Sequence, residues 1–299
     1  MNYISLSDEM YRLFGTKVYK LSLSSGCSCP NRDGKIDIKG CTFCSEGGSG
    51  DFAAPFLPIE EQIRLAKEKV DPKFPARIKP EDRRYFAYFQ SFTNTYGYPD
   101  RLEALFHKTL SYPQIVGLSI GTRPDCLSDD MISRLALLNQ EKPVWIELGL
   151  QTIHEKTAEH IHRGYPLSVF EDTYQRLKSA GLTVIVHVIL GLPHEKREDM
   201  LATVSYLSAL SPRLDGIKLQ LLHVLKGTQL AEEYKKEPFH IFTLEEYTAL
   251  IVDCLKLLPK ETVIHRLTGD GPKRLLIEPK WSGDKKRVMN TIQKAIREA

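Results

Sequence analysis

Apolar residues fall along this chain in two alternating rhythms. Short runs dense in Val, Ile, Leu and aromatic residues have the length and composition of buried strands. They are "KVYKLSL" (Lys17 to Leu23), "RYFAYFQS" (Arg84 to Ser91), "IVGLSIGT" (Ile115 to Thr122), "VWIELGL" (Val144 to Leu150), "TVIVHVIL" (Thr183 to Leu190) and "GIKLQLLH" (Gly216 to His223). Between them, apolar positions recur at helical spacing in "PIEEQIRLAKEK", "PDRLEALFHKTL", "SDDMISRLALLN", "LSVFEDTYQRLKSAG" and "REDMLATVSYLSAL", which predicts amphipathic helices. A short helix opens the chain, with Ser7 as its expected cap and Gly15 as its stop. Six strand–helix units in succession predict a parallel sheet covered by helices. The pattern leaves two forms open: a doubly wound sheet, or a partial or complete barrel.

Composition narrows the class. A chain of 299 residues can bury one large core or two modest ones, and 42% hydrophobic with 26% charged residues is ordinary for a globular protein. No apolar run reaches the roughly 18 residues of a membrane span. The N-terminal "MNYISLSDEMYRLFG" carries acids and lacks the basic start, apolar core and cleavage site of a secretory signal, so a cytoplasmic location is expected. The net charge of +3 is unremarkable, but its distribution is uneven. From Lys256 onward eleven Lys/Arg face five Asp/Glu, while the rest of the chain has thirty against thirty-three. In that tail Lys273, Arg274, Lys280, Lys285, Lys286 and Arg287 surround Trp281. Cations interleaved with an aromatic ring suit a nucleic-acid backbone; a solvated basic helix has the same composition.

The densest chemistry lies in "GCSCPNRDGKIDIKGCTFC", which holds Cys27, Cys29, Cys41 and Cys44 just after the first strand. In a reducing compartment such a cluster reads as metal ligands rather than a disulfide framework. Cys41 and Cys44 form a C-x-x-C with no second such pair and no nearby histidine, so the usual structural zinc sets are not met. Cys27 is one residue from Cys29, a separation that points the side chains in conflicting directions, which favours three ligands over four. A three-cysteine site leaves one metal position open, and in a cubane iron–sulfur cluster that position can hold a cofactor. Following a strand of a βα series, the loop belongs at the C-terminal end of the sheet, where the active sites of such folds are built. Glu147, a carboxylate inside an apolar strand, needs partners if buried and is read as a site residue. His187 and His223 lie inside strands and either point into the barrel mouth or serve as satisfied core residues, the commoner role of a lone strand histidine, and the isolated Cys126 and Cys254 are read as small packing groups.

The residues resemble a known family. "CPNRDGKIDIKGCTFC" is followed in order by "GTRPD" (Gly121 to Asp125), "ELGLQT" (Glu147 to Thr152), "IHRGY" (Ile161 to Tyr165), "GLPHE" (Gly191 to Glu195) and "LLHVLKGTQL" (Leu221 to Leu230). This ordered set resembles radical S-adenosylmethionine (SAM) enzymes over nearly the whole chain. The C-x11-C-x2-C spacing departs from the commonest C-x3-C-x2-C form and is similar to the longer loop of the Elongator-catalytic-subunit-like branch. "CPNRDG" together with "RLTGDGPKRLLIEPKW" is most similar to the bacterial YtqA/YhcC-like group, which includes MnmL-type tRNA-modification enzymes.

The resemblance implies a partial (β/α)6 TIM-like barrel of the radical SAM type with a short basic C-terminal extension. The core, with its N-terminal helix and cluster loop, would span 1–238, and the extension, a candidate tRNA contact, 239–299. It further implies that Cys29, Cys41 and Cys44 hold three irons of a [4Fe–4S] cluster, with SAM chelating the fourth, Phe43 shielding the cluster and Cys27 a bystander. SAM would be held by Gln90 and Ser91, by Glu147 and Gln151 on either side of Gly149, by Arg163 at its carboxylate, and by Gly191 with Ile189 or Leu190 at its adenine. Gln90 and Ser91 equally suit a strand-end cap, and Arg163 a helix-end surface position. Arg123 and Asp125 are substrate candidates or pair with each other; Lys226, Lys273, Arg274, Lys280 and Trp281 are further substrate or RNA candidates. No catalytic side chain is assigned.

The implied activity is conversion of 5-carboxymethylaminomethyluridine at the tRNA wobble position to 5-aminomethyluridine through a 5′-deoxyadenosyl radical, with tRNA bound at its anticodon region. A reductant such as flavodoxin or ferredoxin is expected, and no membrane partner. Two alternatives stand beside it: radical SAM chemistry on another tRNA or small-molecule substrate, and a non-catalytic, zinc-stabilised RNA-binding protein. Methylthiolation is disfavoured because a second three-cysteine set is missing. Elongator-like acetyl transfer is disfavoured because about sixty residues after the βα series are too few for an acetyltransferase domain.

Overall fold

The computed structural model describes residues 3–48, 53–269 and 271–299. The chain enters through β1 (Ile4–Ser5) and α1 (Leu6–Phe14). Ser5, not Ser7, caps α1: its hydroxyl accepts from the Asp8 amide while Asp8 reaches back to the Ser5 amide. Ser7 instead accepts from Lys17 Nζ at 3.0 Å. Gly15, at φ +66°, ends the helix in the left-handed conformation that glycine adopts without strain.

Five βα units and a sixth strand follow: β2 (Val18–Leu23) with α2 (Ile59–Val70), β3 (Arg84–Phe89) with α3 (Pro99–Leu110), β4 (Ile115–Thr122) with α4 (Asp129–Glu141), β5 (Val144–Gln151) with α5 (Glu155–His160) and α6 (Leu167–Ser179), β6 (Thr183–Leu190) with α7 (Arg197–Ser208), and β7 (Gly216–Leu221). After β8 (Val224–Leu225) and α8 (Gln229–Lys236) come α9 (Leu244–Leu257), β9 (Val263–Arg266), β10 (Leu276–Glu278) and α10 (Lys285–Glu298). Strands β2 to β7 lie side by side in chain order, all parallel. The sheet curls into a half-barrel, so the partial-barrel form holds and the doubly wound form does not.

Segment 239–299 is woven into this sheet. β9 pairs in parallel with β7, and β1 pairs in parallel with β9, giving the order β1-β9-β7-β6-β5-β4-β3-β2. α10 lays its buried Val288, Ile292 and Ile296 into the main core, the helical spacing of one apolar stripe. β8 and β10 form a separate antiparallel pair.

Strand side chains alternate between faces. Leu21, Ala87, Leu118, Ile146, Val186 and Leu219 point outward, fully buried under the helices. The inward-facing residues form layers. At the N-terminal end, Val18, Phe86, Trp145 and Ile185 pack with Met10 of α1 and close the barrel floor. Above them lies a polar layer, and above that the open mouth.

Candidate functional site

Every strand from β2 to β7 contributes a polar residue to the middle layer: Lys20, Tyr88, Ser119, Glu147, His187 and Lys218. Register sets them abreast, Tyr88 beside Ser119 and His187 beside Lys218, with Lys218 beside Arg266 of β9. Glu147 is the hub. Its side chain is completely buried and accepts from Lys20 Nζ at 2.7 Å, His187 Nε2 at 2.7 Å, Lys218 Nζ and the Ser119 hydroxyl. Lys218 also donates to the Tyr88 hydroxyl at 3.1 Å.

These contacts decide the charges. Burial would raise the Glu147 carboxyl, but Lys20, Lys218 and His187 outweigh it and hold the group well below the usual carboxylate range. Burial draws Lys218 down to about 7 against the pull of Glu147, and pushes the Tyr88 phenol well up. An ionised carboxylate offers only lone pairs, so His187 carries its proton on Nε2.

The mouth above this layer is a cavity of about 260 Å³. Cys29, Cys41 and Cys44 line it, together with Phe43, Gln90, Gln151 and Ile189. None of the three is in a disulfide. The cysteine loop is tied down by its own polar residues: Arg32 donates to the carbonyls of Cys44 and Ser45, and Asn31 Nδ2 donates to the His162 carbonyl at 2.6 Å while lying 3.4 Å from Cys41 Sγ. The hydrogen bond with Cys44, then Arg123 and Asn31, lower the Cys41 thiol to about 7 against the cost of burial, which favours the thiolate that metals bind.

Cys27 lies elsewhere. It is buried in the main core, within 3.3 Å of Arg101 Nη2, and does not line the cavity. Ser91 is buried beside Gln90 but also off the cavity wall. Gly191 takes φ +95° with the Phe242 ring over it, where an added Cβ would come within 3.3 Å of that ring. Arg163 faces the cavity but turns its nitrogens inward, donating to the carbonyls of Tyr165, Leu150 and Thr152 and pairing with Glu155. Arg123 and Asp125 form a two-pronged pair at 2.9 and 2.8 Å, and Arg123 sits 5.0 Å over the Tyr165 ring. Lys226, Lys273, Arg274 and Lys280 are exposed and off the cavity. Trp281 donates its indole N–H to the Phe242 carbonyl at 2.8 Å and packs near Tyr247. Cys254 is fully buried.

The residues fit an iron–sulfur cluster and SAM. Three cysteine thiols, none in a disulfide, converge on one cavity, the donor set of a site-open cluster. On the same wall Gln151, held at φ +70°, keeps a buried Oε1 without a hydrogen-bond partner among the described residues. A buried carbonyl oxygen of this kind is satisfied by a donor arriving with the ligand, such as an ammonium or hydroxyl group.

Residues 28–207 match the model of the Radical SAM superfamily and residues 214–298 that of the Radical_SAM C-terminal domain. The chain therefore belongs to the radical SAM superfamily, whose cofactors are a [4Fe–4S] cluster and SAM. It is 41% identical to the uncharacterized protein YtqA of Bacillus subtilis, over 98% of this chain and 89% of that protein. It is 36% identical to protein YhcC of Escherichia coli K12, over 91% and 85%. It is also 26% identical to Elongator complex protein 3 of Schizosaccharomyces pombe, covering 83% of this chain and about half (51%) of that protein. The archaeal Elp3 structure from Methanocaldococcus infernus shares the fold, with a TM-score of 0.64 at 18% identity over 93% of this chain and 63% of that one.

Proposed function

We propose that this chain is a radical SAM tRNA-modifying enzyme that converts 5-carboxymethylaminomethyluridine at the wobble position to 5-aminomethyluridine, the activity associated with MnmL-type enzymes. The observation that carries the reading is that one cavity joins the three cysteines to a cation-rich polar layer in the barrel. Kinship with Elongator complex protein 3 and the exposed basic residues of the C-terminal segment support tRNA as the substrate. Among the described residues no helix is long and apolar enough to cross a membrane, in keeping with action in the cytoplasm.

Cys29, Cys41 and Cys44 hold the cluster, and Gln90, Gln151 and Ile189 line the place for SAM, framed by Ser91 and Gly191. Arg163 and Glu147 act beside them by fixing the end and the middle of β5. When bound, cluster and SAM supply a carbon-centred radical that takes hydrogen from carbon, with the starting electron coming from a flavodoxin- or ferredoxin-type donor. Phe43, between two cysteines on the cavity wall, excludes water there. On the substrate, the methylene between nitrogen and carboxylate would give up a hydrogen atom to that radical, one further electron to the oxidised flavodoxin- or ferredoxin-type carrier, and the nitrogen-bound proton to solvent. Water adds to the resulting imine, and cleavage of the C–N bond leaves the aminomethyl group and glyoxylate.

The test is anaerobic turnover of reconstituted protein, with iron, sulfide and zinc measured first, on tRNA carrying 5-carboxymethylaminomethyluridine. Nucleoside mass spectrometry is expected to show its loss, with matching 5-aminomethyluridine and 5′-deoxyadenosine. Production of 5′-deoxyadenosine with the nucleoside unchanged moves the chemistry to another substrate. One zinc per chain and no iron overturns the radical reading.

A further inference from the structure

Four arginines line the cavity, and three are engaged. Arg32 holds the carbonyls of the cysteine loop, Arg123 is paired with Asp125, and Arg163 clamps three carbonyls and Glu155. The half-buried guanidinium of Arg266 makes no hydrogen bond or ion pair among the described residues. The only acid among the described lining residues is Glu147, and it is already shared by Lys20, Lys218 and His187. Arg266 stands in register beside Lys218 and adds its charge to a lumen that already holds two lysines against one carboxylate. A partly desolvated, unpaired cation in such surroundings is unfavourable until an anion joins it. A guanidinium presents a planar fork that matches a carboxylate with two parallel hydrogen bonds.

We propose that Arg266 grips the carboxylate of the substrate's glycine-like substituent and thereby selects carboxymethylaminomethyl-bearing uridine over uridines without the acid. The assignment rests on the substrate reading above. It favours the substrate's carboxylate over that of SAM for a reason of position. The resemblance places the amino and carboxylate groups of SAM at the cluster, on the loop after β2 at the cavity mouth, whereas Arg266 stands beside Lys218 of the polar layer beneath it. A carboxylate anchored at Arg266 would place the adjacent methylene in the same cavity as the three cysteines.

The experiment compares reconstituted wild-type protein with Arg266→Gln and Arg266→Lys, anaerobically and without reductant so that no turnover occurs. Two dissociation constants are measured for each: one for tRNA carrying 5-carboxymethylaminomethyluridine and one for the same tRNA carrying 5-aminomethyluridine. SAM binding is measured in parallel by equilibrium dialysis. Wild type is expected to prefer the acid-bearing tRNA by about ten- to a hundredfold, the range of one charge-assisted, two-pronged contact. R266Q is expected to lose that preference while binding the aminomethyl tRNA and SAM as wild type does. R266K, which keeps the charge but not the fork, is expected to fall between and serves as the control for folding. A preference that survives in R266Q overturns the assignment and leaves the substrate reading intact. Weakened SAM binding with the tRNA preference retained assigns Arg266 to SAM and also overturns it. A wild type indifferent to the acid removes the substrate reading and the assignment with it.

Discussion

Nε2 of His187 lies 2.7 Å from Oε2 of Glu147, inside a barrel layer that also buries two lysines. The carboxylate is ionised and the imidazole neutral, because burial and Lys218 draw His187 down to about 4 despite its hydrogen bond to Glu147. One negative charge therefore ties β5 to β4 and β2 on one side and to β6 and β7 on the other.

Removing that charge while keeping its shape exposes its value. Glu147→Gln leaves Lys20 and Lys218 buried without a counter-charge, and breaking a buried pair in this way costs about 3–5 kcal/mol. Urea denaturation is expected to show that loss as a lower midpoint with an unchanged slope. Adding Lys218→Met, which deletes one stranded cation, is expected to recover part of it; additive losses would mean that the two residues do not act as a pair.

The same layer sets a pH dependence. An unfolded histidine titrates near 6.5 and His187 in the fold at about 4. Between those values the unfolded chain binds a proton that the folded chain does not, so stability falls as pH drops from about 6.5 to about 4. Glu147 contributes in a lower window, above its unfolded value near 4.3, and that contribution is lost as pH falls through its depressed folded value. Chemical denaturation at pH 7.5, 6, 5 and 4 is expected to give a shallower decline for His187→Gln than for wild type. Parallel curves would show that His187 titrates normally.

Part of this arrangement was legible in the chain and part was not. The six strands stood out because each is apolar on its helix-covered face and flanked by turn residues, and the cysteine loop because four thiols in nineteen residues have few other uses. Lys20 in "KVYKLSL" and Lys218 in "GIKLQLLH" are alternating polar residues, which in an open sheet face water. Only the curl of the sheet turns that face into a lumen and brings Lys20, Glu147 and Lys218 together across 198 residues of chain. A lysine within an otherwise buried parallel strand was the available signal. β1 and β9 escaped notice for a different reason: with two and four residues they are too short to carry a period, and pairing creates them. Arg266 went unread as a site residue with them.

The four cysteines of the loop divide by position. Single Cys29→Ala, Cys41→Ala and Cys44→Ala variants, reconstituted anaerobically, are expected to lose most of the cluster iron, since each removes one of three ligands. Cys27→Ala is expected to keep its iron and to lose only about 1 kcal/mol of packing, because its side chain lies in the core rather than on the cavity. Iron retained in the first three, or lost in the last, would redraw the ligand set.

The C-terminal segment separates surface charge from structure. Lys273, Arg274 and Lys280 are exposed, so a triple glutamine variant is expected to change stability by no more than about 0.5 kcal/mol. Each phosphate contact they make adds about 0.7–0.9 to the slope of log affinity against log salt, so the variant is expected to bind tRNA with a slope shallower by about two. Trp281 behaves in the opposite way if its indole is structural. Trp281→Ala strips the hydrogen bond to the Phe242 carbonyl and the packing near Tyr247, so its effect should appear in the unfolding midpoint while the salt slope stays that of wild type. An unchanged slope in the triple variant would place the tRNA on another face.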